Sequence, residues 1–367
     1  MNRVNKKVFL SAAFVIAAVM VIAGLLNSKT DPYIEKTAVG ARAGIPDDPH
    51  IHYVGRWDQS NPKVFKSNWP GAYFRVNFTG TTARLKLEAG SDIFVSIDNG
   101  ADVYYAYMPG EDGMVNLTPT PLEPGIHSLR VTARSEKDKV AFAGLILDEN
   151  AQTLPAERRE KWIEFVGDSI TAGCCASNAN WVLRSYAWLA AEQLQADHTQ
   201  IAYSGICLVD GVKCASPNEI GMSKQYFKLH TVEVPDSPTW SFTGRQPDMV
   251  VVNLGTNDYN NGVTAEVFQE QYAAFIQRIR SHYPAAAILV LGTLADMLTE
   301  PTIQAVQQVA AAGDVNVHFI DTKGWVDAGL PDFEDQLHPS DYGHEKIAGK
   351  LVTIIRELWQ QQTRHGR

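Results

Sequence analysis

The sequence is short of positive charge, of cysteine and of repetition. Lysine and arginine number 32 against 41 acidic residues, a net charge of −9 over 367 residues. The acids are dispersed rather than gathered into a tail. That balance argues against a nucleic-acid partner and against binding to an anionic membrane surface. Only four cysteines occur, and neither their spacing nor any histidine near them in sequence resembles a zinc ligand set. There is no internal repeat and no low-complexity tract. Charged residues make up 20% of the chain and hydrophobic residues 45%. This is a globular composition, long enough for two ordinary domains or one large one.

The longest apolar stretch stands at the amino terminus. Arg3, Lys6 and Lys7 precede Val8–Leu26, which is uncharged and almost wholly apolar. As a helix this run would span about 28 Å, close to the hydrocarbon thickness of a bilayer. Basic residues ahead of it predict export of everything that follows. Residues 1–27 therefore read as a signal peptide or membrane anchor, and Val21-Ile22-Ala23 offers an imperfect cleavage site. The protein is expected to be secreted, periplasmic, or held at the membrane by this segment alone. In an exported chain the cysteines invite a disulfide reading. Cys207 and Cys214 flank a short loop whose closure would contribute about 2.5 kcal/mol. The vicinal Cys174 and Cys175 could instead reach that loop, and the spacing leaves the pairing open.

Residues 28–49 are polar, with glycine and proline, and read as a linker. From 50 to 150 the chain alternates short apolar runs with turn signals such as Asn99-Gly100 and Pro109-Gly110. Strands are predicted at Val64–Lys66, Tyr73–Phe78, Ala83–Leu87, Ile93–Ile97, Val103–Tyr107, Gly125–Val131 and Val140–Leu147. No amphipathic helix intervenes, so this part is expected to be an antiparallel β-sandwich. Ala151–Glu160 is charged, helix-compatible and reads as the connector. Residues 151–367 then alternate strands (Trp162–Val166, Gln200–Tyr203, Met249–Leu254, Ala287–Leu291, Val317–Asp321) with helices (Ser185–Gln195, Ala265–His282, Pro301–Ala312, Tyr342–Gln361). That rhythm predicts a doubly wound parallel sheet with ligands at the carboxyl ends of its strands.

Four segments follow strands in this second part: Gly167-Asp168-Ser169, Tyr203-Ser204-Gly205, Gly255-Thr256-Asn257-Asp258 and Asp335-Gln336-Leu337-His338-Pro339. Acyl transfer needs a nucleophile, a base, and donors aimed at the developing oxyanion. Ser169, His338, the Gly205 N–H and the Asn257 amide suit those roles by residue type. Each segment alone has a plainer reading, a helix-capping serine or a solvated loop histidine. An Asp three residues before a His occurs three times, at Asp47/His50, Asp335/His338 and Asp341/His344. The first reads as polar loop chemistry and His344 as a structural histidine.

Taken in order, Gly167-Asp168-Ser169-Ile170-Thr171, Gly205, Gly255-Thr256-Asn257-Asp258 and Asp335-x-x-His338-Pro339 resemble the four blocks of the GDSL/SGNH hydrolase superfamily. The resemblance implies Ser169 as nucleophile, His338 as base and Asp335 as orienting acid. It also implies an oxyanion hole of the Ser169 N–H, the Gly205 N–H and the Asn257 amide. Upstream, Gly55-Arg56-Trp57-Asp58, Trp69-Pro70-Gly71-Ala72 and Phe78-Thr79-Gly80-Thr81 resemble the opening of carbohydrate esterase family two, which joins a jelly roll to an SGNH domain. The expected architecture is thus a jelly-roll sandwich followed by an α/β SGNH hydrolase domain. The chain departs from that family at Cys174-Cys175, where a glycine and an aromatic are more usual.

The resemblance implies an acetyl xylan esterase-like serine esterase that removes O-acetyl groups from polysaccharide or oligosaccharide sugars. Its partner would be the acetylated saccharide, with no metal and no other cofactor required. A general short-chain esterase, lipase or thioesterase would use the same residues with a different acyl pocket. A non-catalytic carbohydrate-binding envelope protein is the alternative of another class. Trp181, Trp240 and Tyr259 are candidate sugar-stacking rings, although large aromatics are more often core.

Overall fold

A computed structural model of the chain describes residues 44–106, 113–176 and 182–365. The apolar run Val8–Leu26, most of the 28–49 linker, the Pro109-Gly110 turn and Trp181 lie outside the described residues. Among those described, no helix is long and apolar enough to cross a membrane.

Period-two alternation builds the first layers. In Ala83–Leu87, residues 83, 85 and 87 are buried while Arg84 and Lys86 face solvent, as a half-buried strand requires. Strands β1 (His52–Val54), β3 (Tyr73–Gly80), β8 (Gly125–Ala133), β5 (Ile93–Ile97) and β6 (Val103–Tyr105) pair antiparallel in that order. The facing sheet runs β2 (Phe65–Ser67), β9 (Val140–Leu147), β4 (Ala83–Leu87) and β7 (Met114–Asn116). Their inner faces share one core, in which the Phe74 and Phe142 rings meet at 4.5 Å between centroids. The expected sandwich is therefore present, with β1 and β7 as additional strands.

The connector is not helical. Thr153–Leu154 forms β10 and pairs with β3, Thr153 opposite Phe78. Pro155 disfavours a helical Leu154, and the Thr153 hydroxyl is anchored on Asp48 at 2.6 Å.

Beyond it, β11 (Trp162–Gly167), β12 (Asp197–Ala202), β13 (Met249–Asn253), β14 (Ala287–Leu291) and β15 (Val317–Ile320) form a parallel sheet in the order β12-β11-β13-β14-β15. Strands β13 and β14 read as apolar runs because both faces are covered, whereas β12 is equally buried yet carries Asp197, His198, Thr199 and Gln200. Val166, Val250, Val252, Ile288 and Val290 point into one core with α3 (Met222–Gln225), α5 (Ala265–His282) and α6 (Thr299–Ala311). Phe165, Met249, Val251, Ala287 and Leu289 point into the other, against α2 (Tyr186–Leu194) and α7 (Asp341–His365). Ser185 caps α2 by accepting from the Trp188 N–H, and Gln195 ends it in the left-handed region at φ 52°. The described residues form one compact unit.

Two of the motifs that resemble the family-two opening, those of Arg56 and of Trp69-Pro70-Gly71, hold the sandwich against the parallel-sheet layers. Arg56 is fully buried; its guanidinium donates to the Tyr226 carbonyl and, at 2.7 Å, to that of Lys228. It lies 3.8 Å from the Glu164 carboxylate and over the Tyr226 ring at 4.9 Å. Trp69 donates its indole N–H to the Leu229 carbonyl at 2.7 Å. Gly71, at φ 64°, sits so close to the second part that a Cβ there would meet Gln200 Oε1 at 2.3 Å. On the same seam Asp197, at the start of β12, accepts from Arg75 at 2.9 Å and Tyr73 at 3.2 Å.

Candidate active site

Gly167 ends β11, and Asp168 caps the short helix α1 (Ser169–Ala172) by accepting from the Ile170 N–H at 3.0 Å. Ser169 thereby occupies the first helical position, where a backbone N–H has no acceptor within the helix. Its hydroxyl lies 3.0 Å from His338 Nε2. His338 Nδ1 is 2.8 Å from Asp335 Oδ2. Asp335 Oδ1 also accepts from the backbone N–H groups of Leu337 and His338, each at 2.6 Å. The turn that presents both residues is closed by the Glu334 N–H on the His338 carbonyl at 3.0 Å. Ser340 then caps α7, its carbonyl accepting from the His344 N–H at 2.8 Å.

The other two blocks reach the same edge of the sheet. Asn257 is the second residue of α4 (Thr256–Asn260); its amide donates to the Ile206 carbonyl at 3.0 Å and to Asp168 Oδ2 at 3.4 Å. Asp258 accepts from the Leu208 and Val209 N–H groups at 2.8 and 3.0 Å, which ties this block to the loop that begins at Gly205. Gly205 has φ 75°, and a Cβ there would meet the Ala215 Cβ at 2.7 Å. Only glycine lets that backbone pass. Cys207 and Cys214 are disulfide-bonded across the loop, with Cα atoms 6.1 Å apart. Cys174 and Cys175 do not reach it; both are free thiols.

Burial sets the electrostatics. It pushes the carboxyls of Asp168 and Asp258 up to about 6 against the pull of the backbone N–H groups they accept from. Asp335 is the opposite case. Its partial burial acts upward, but the hydrogen bonds from His338 and Leu337 outweigh it and hold the group below the usual carboxylate range. Burial and the Cys174 contact push the Cys175 thiol up to about 12. A cleft of about 650 Å³ runs beside His338, with Leu330, Phe333 and Leu337 on its wall.

The structure thus brings Ser169, His338 and Asp335 into one hydrogen-bonded chain and sets Asn257 against Asp168. His344 lies apart and fully buried, its Nδ1 accepting from the Tyr186 N–H at 3.1 Å. Burial drives its ring down to about 3. Tyr259 is 55% exposed rather than core, and Trp240 packs beside Arg56. Two residues were missed by sequence reasoning. Glu136, from the sandwich, accepts from the Ser204 N–H at 2.6 Å, and Lys137 donates to the Tyr203 hydroxyl at 2.9 Å. Their sequence context is an ordinary charged turn, so no local signal marked them.

A hydrogen-bonded serine, histidine and aspartate at the carboxyl edge of a parallel α/β sheet, preceded by an antiparallel sandwich, suits a two-part hydrolase. Residues 165–346 match the GDSL-like lipase/acylhydrolase family, and residues 53–156 match the carbohydrate esterase 2 N-terminal family. The chain thus carries a carbohydrate esterase 2 N-terminal module followed by a GDSL-like lipase/acylhydrolase domain. It is 29% identical over 334 residues to the cellulase/esterase CelE of Acetivibrio thermocellus, covering 84% of this chain but only 40% of that relative. An acetylxylan esterase / glucomannan deacetylase of Cellvibrio japonicus is 24% identical, covering 81% of this chain and 87% of its own length. Among solved structures, a family two carbohydrate esterase from Clostridium thermocellum in complex with cellohexaose superposes with a TM-score of 0.71 at 25% identity. That match covers 84% of this chain and 99% of the other.

Proposed function

We propose that the protein is a serine esterase that removes O-acetyl groups from the sugars of polysaccharides or oligosaccharides. The observation that carries this reading is the chain of contacts Ser169–His338–Asp335, at 3.0 and 2.8 Å, behind a carbohydrate esterase 2 N-terminal module. Ser169 Oγ attacks the acetyl carbonyl as His338 Nε2 takes its proton. The Ser169 and Gly205 N–H groups and the Asn257 amide receive the oxyanion. His338 returns the proton to the departing sugar oxygen, which leaves as a hydroxyl. Water, deprotonated by the same imidazole, then attacks the acyl-serine and releases acetate. Asp335 fixes the tautomer and stabilises the imidazolium throughout.

Names of the relatives support a carbohydrate ester as the substrate class, and the bound cellohexaose of a neighbouring structure supports a saccharide in the cleft. The basic and apolar amino terminus supports export, and the Cys207–Cys214 disulfide suits an oxidising compartment. The test is hydrolysis of acetylated xylan or mannan oligosaccharides by the wild type and by Ser169→Ala. Acetate release that disappears in the variant is expected. Unchanged hydrolysis in the variant would overturn the site, and a marked preference for long-chain esters would overturn the sugar.

A further inference from the structure

Two cysteines lie outside this chemistry yet beside it. Cys174 and Cys175 follow α1, and the Cys174 N–H donates to the Ser169 carbonyl at 2.9 Å, so the pair is tied to the nucleophile's own turn. Cys175 is held at φ 66°, in the left-handed region. The loop before α7 delivers His338 to the same place. One ligand atom from each of Cys174, Cys175 and His338 falls within 4.8 Å of the other two, and all three residues are half-buried.

Two thiols and an imidazole make a soft donor set that selects zinc-like cations over calcium or magnesium. Tetrahedral zinc, with Zn–S about 2.3 Å and Zn–N about 2.0 Å, spaces its ligands roughly 3.5–3.8 Å apart. Closing the cluster to that spacing asks about 1 Å of side-chain movement, with solvent in the fourth position.

We infer that Cys174, Cys175 and His338 form an inhibitory site for a thiophilic divalent cation, which competes with Ser169 and Asp335 for the imidazole. Both ring nitrogens are already engaged, Nε2 with Ser169 at 3.0 Å and Nδ1 with Asp335 at 2.8 Å. A cation that takes either nitrogen therefore breaks one of these contacts. Through Nε2 it removes the acceptor for the serine proton; through Nδ1, whose proton then moves to Nε2, it separates the ring from its orienting carboxylate and again leaves no acceptor for the serine. As each sulfur coordinates, its thiol proton passes to solvent, and nothing is oxidised. The inhibition rests on the role proposed for His338, whereas cation binding does not.

The full chain, stripped with EDTA, is titrated with cadmium while the ultraviolet thiolate-to-metal charge-transfer band is followed. Hydrolysis of a small acetyl ester is measured in parallel with micromolar zinc. The wild type is expected to take up one cadmium with the band and to lose most of its activity in zinc, recovering in EDTA. The Cys174→Ser/Cys175→Ser double variant, read against its own activity in EDTA, is expected to show neither band nor inhibition. His338→Gln should keep the band but bind cadmium more weakly. Ser169→Ala should bind cadmium as the wild type does, which separates a failure of the metal site from a failure of the catalytic reading. No band in the wild type, equal zinc inhibition of the double variant, or unchanged affinity in His338→Gln would each overturn the inference.

Discussion

Replacing Asp335 tests the relay at its most exposed member. In a buried serine–histidine–aspartate triad, losing the carboxylate's function lowers kcat by about 10⁴. Here the Asp335 side chain is 53% exposed while that of His338 is 17% exposed, so water screens the pair from one side. With about 4 Å between charge centres, an imidazolium and a carboxylate attract by roughly 1 kcal/mol in bulk water and roughly 4 kcal/mol at an effective dielectric near 20. A half-exposed pair falls between these, at about 2 kcal/mol, or roughly thirtyfold in rate. Asp335→Ala should therefore lower kcat on a small acetyl ester by between roughly fivefold and roughly a thousandfold. KM should stay nearly constant, because the charge on the ring develops only in the transition state. Asp335→Asn is the control for shape. It keeps an oxygen for the Leu337 and His338 N–H groups, now held at 2.6 Å, but loses the negative charge. If the argument holds, Ala loses about this much kcat and Asn loses more, because its NH2 then faces Nδ1 in place of Oδ2 and donates to it, favouring the tautomer that cannot accept the serine proton. A loss near 10⁴ in Ala would mean that solvent does not screen the pair. A loss confined to Ala, with KM rising, would mean that Asp335 only braces the loop.

Three further outcomes follow from the same contacts. Asn257→Ala removes one of the proposed oxyanion donors and should lower kcat by roughly a hundredfold, about 3 kcal/mol, read from steady-state kinetics. Asp258 has its folded-state pKa raised to about 6 by burial. Its contribution to stability is therefore complete below the unfolded value near 4 and is lost as pH rises through 6. From pH 4 to pH 8 the unfolding free energy of Asp258→Asn should accordingly gain about 2 kcal/mol relative to wild type in urea titrations, and a flat difference would refute the assignment. Arg56→Met leaves the Glu164 carboxylate, now 3.8 Å from the guanidinium, buried without its cation. It should destabilise the protein by about 3 kcal/mol in chemical denaturation; the Tyr226 and Thr199 hydroxyls also donate to Glu164, and a neutral result would mean that they satisfy it unaided.

The fold was readable where one residue class repeats at one period. Ala83–Leu87, Ile93–Ile97, Val140–Leu147, Ala287–Leu291 and Ala265–His282 appear at the predicted bounds, because burial on one or both faces writes itself into the local pattern. The misses share a cause. His52–Val54, Met114–Asn116 and Thr153–Leu154 are two or three residues long, too short to show a period, and they pair only because a neighbouring edge is there to receive them. The connector 151–160 has helical composition, yet Thr153 is drawn into the sheet opposite Phe78 and hydrogen-bonded to Asp48. Tertiary partners override propensity in such a segment.

The site divides along the same line. Ser169, Gly205, Asn257 and His338 were visible because each sits just beyond a strand or before a helix, where local punctuation marks the carboxyl edge of the sheet. Glu136 was not, and the contacts of Arg56 and of the thiol pair were not, because their partners belong to other parts of the chain. Spacing argued against a metal at Cys174-Cys175, since no histidine stands near them in sequence. That argument assumes ligands that are neighbours along the chain, as in a zinc finger. In a parallel α/β sheet it fails systematically. The turn after β11 and the loop before α7 end at one edge whatever the length of chain between them, and so Cys174 and Cys175 come within 4.8 Å of His338. For this class of fold, donor residues are better grouped by the strand end they follow than by their separation in sequence. Grouped in that way, the departure from the family pattern at 174–175 lies directly against the residue proposed to be the base.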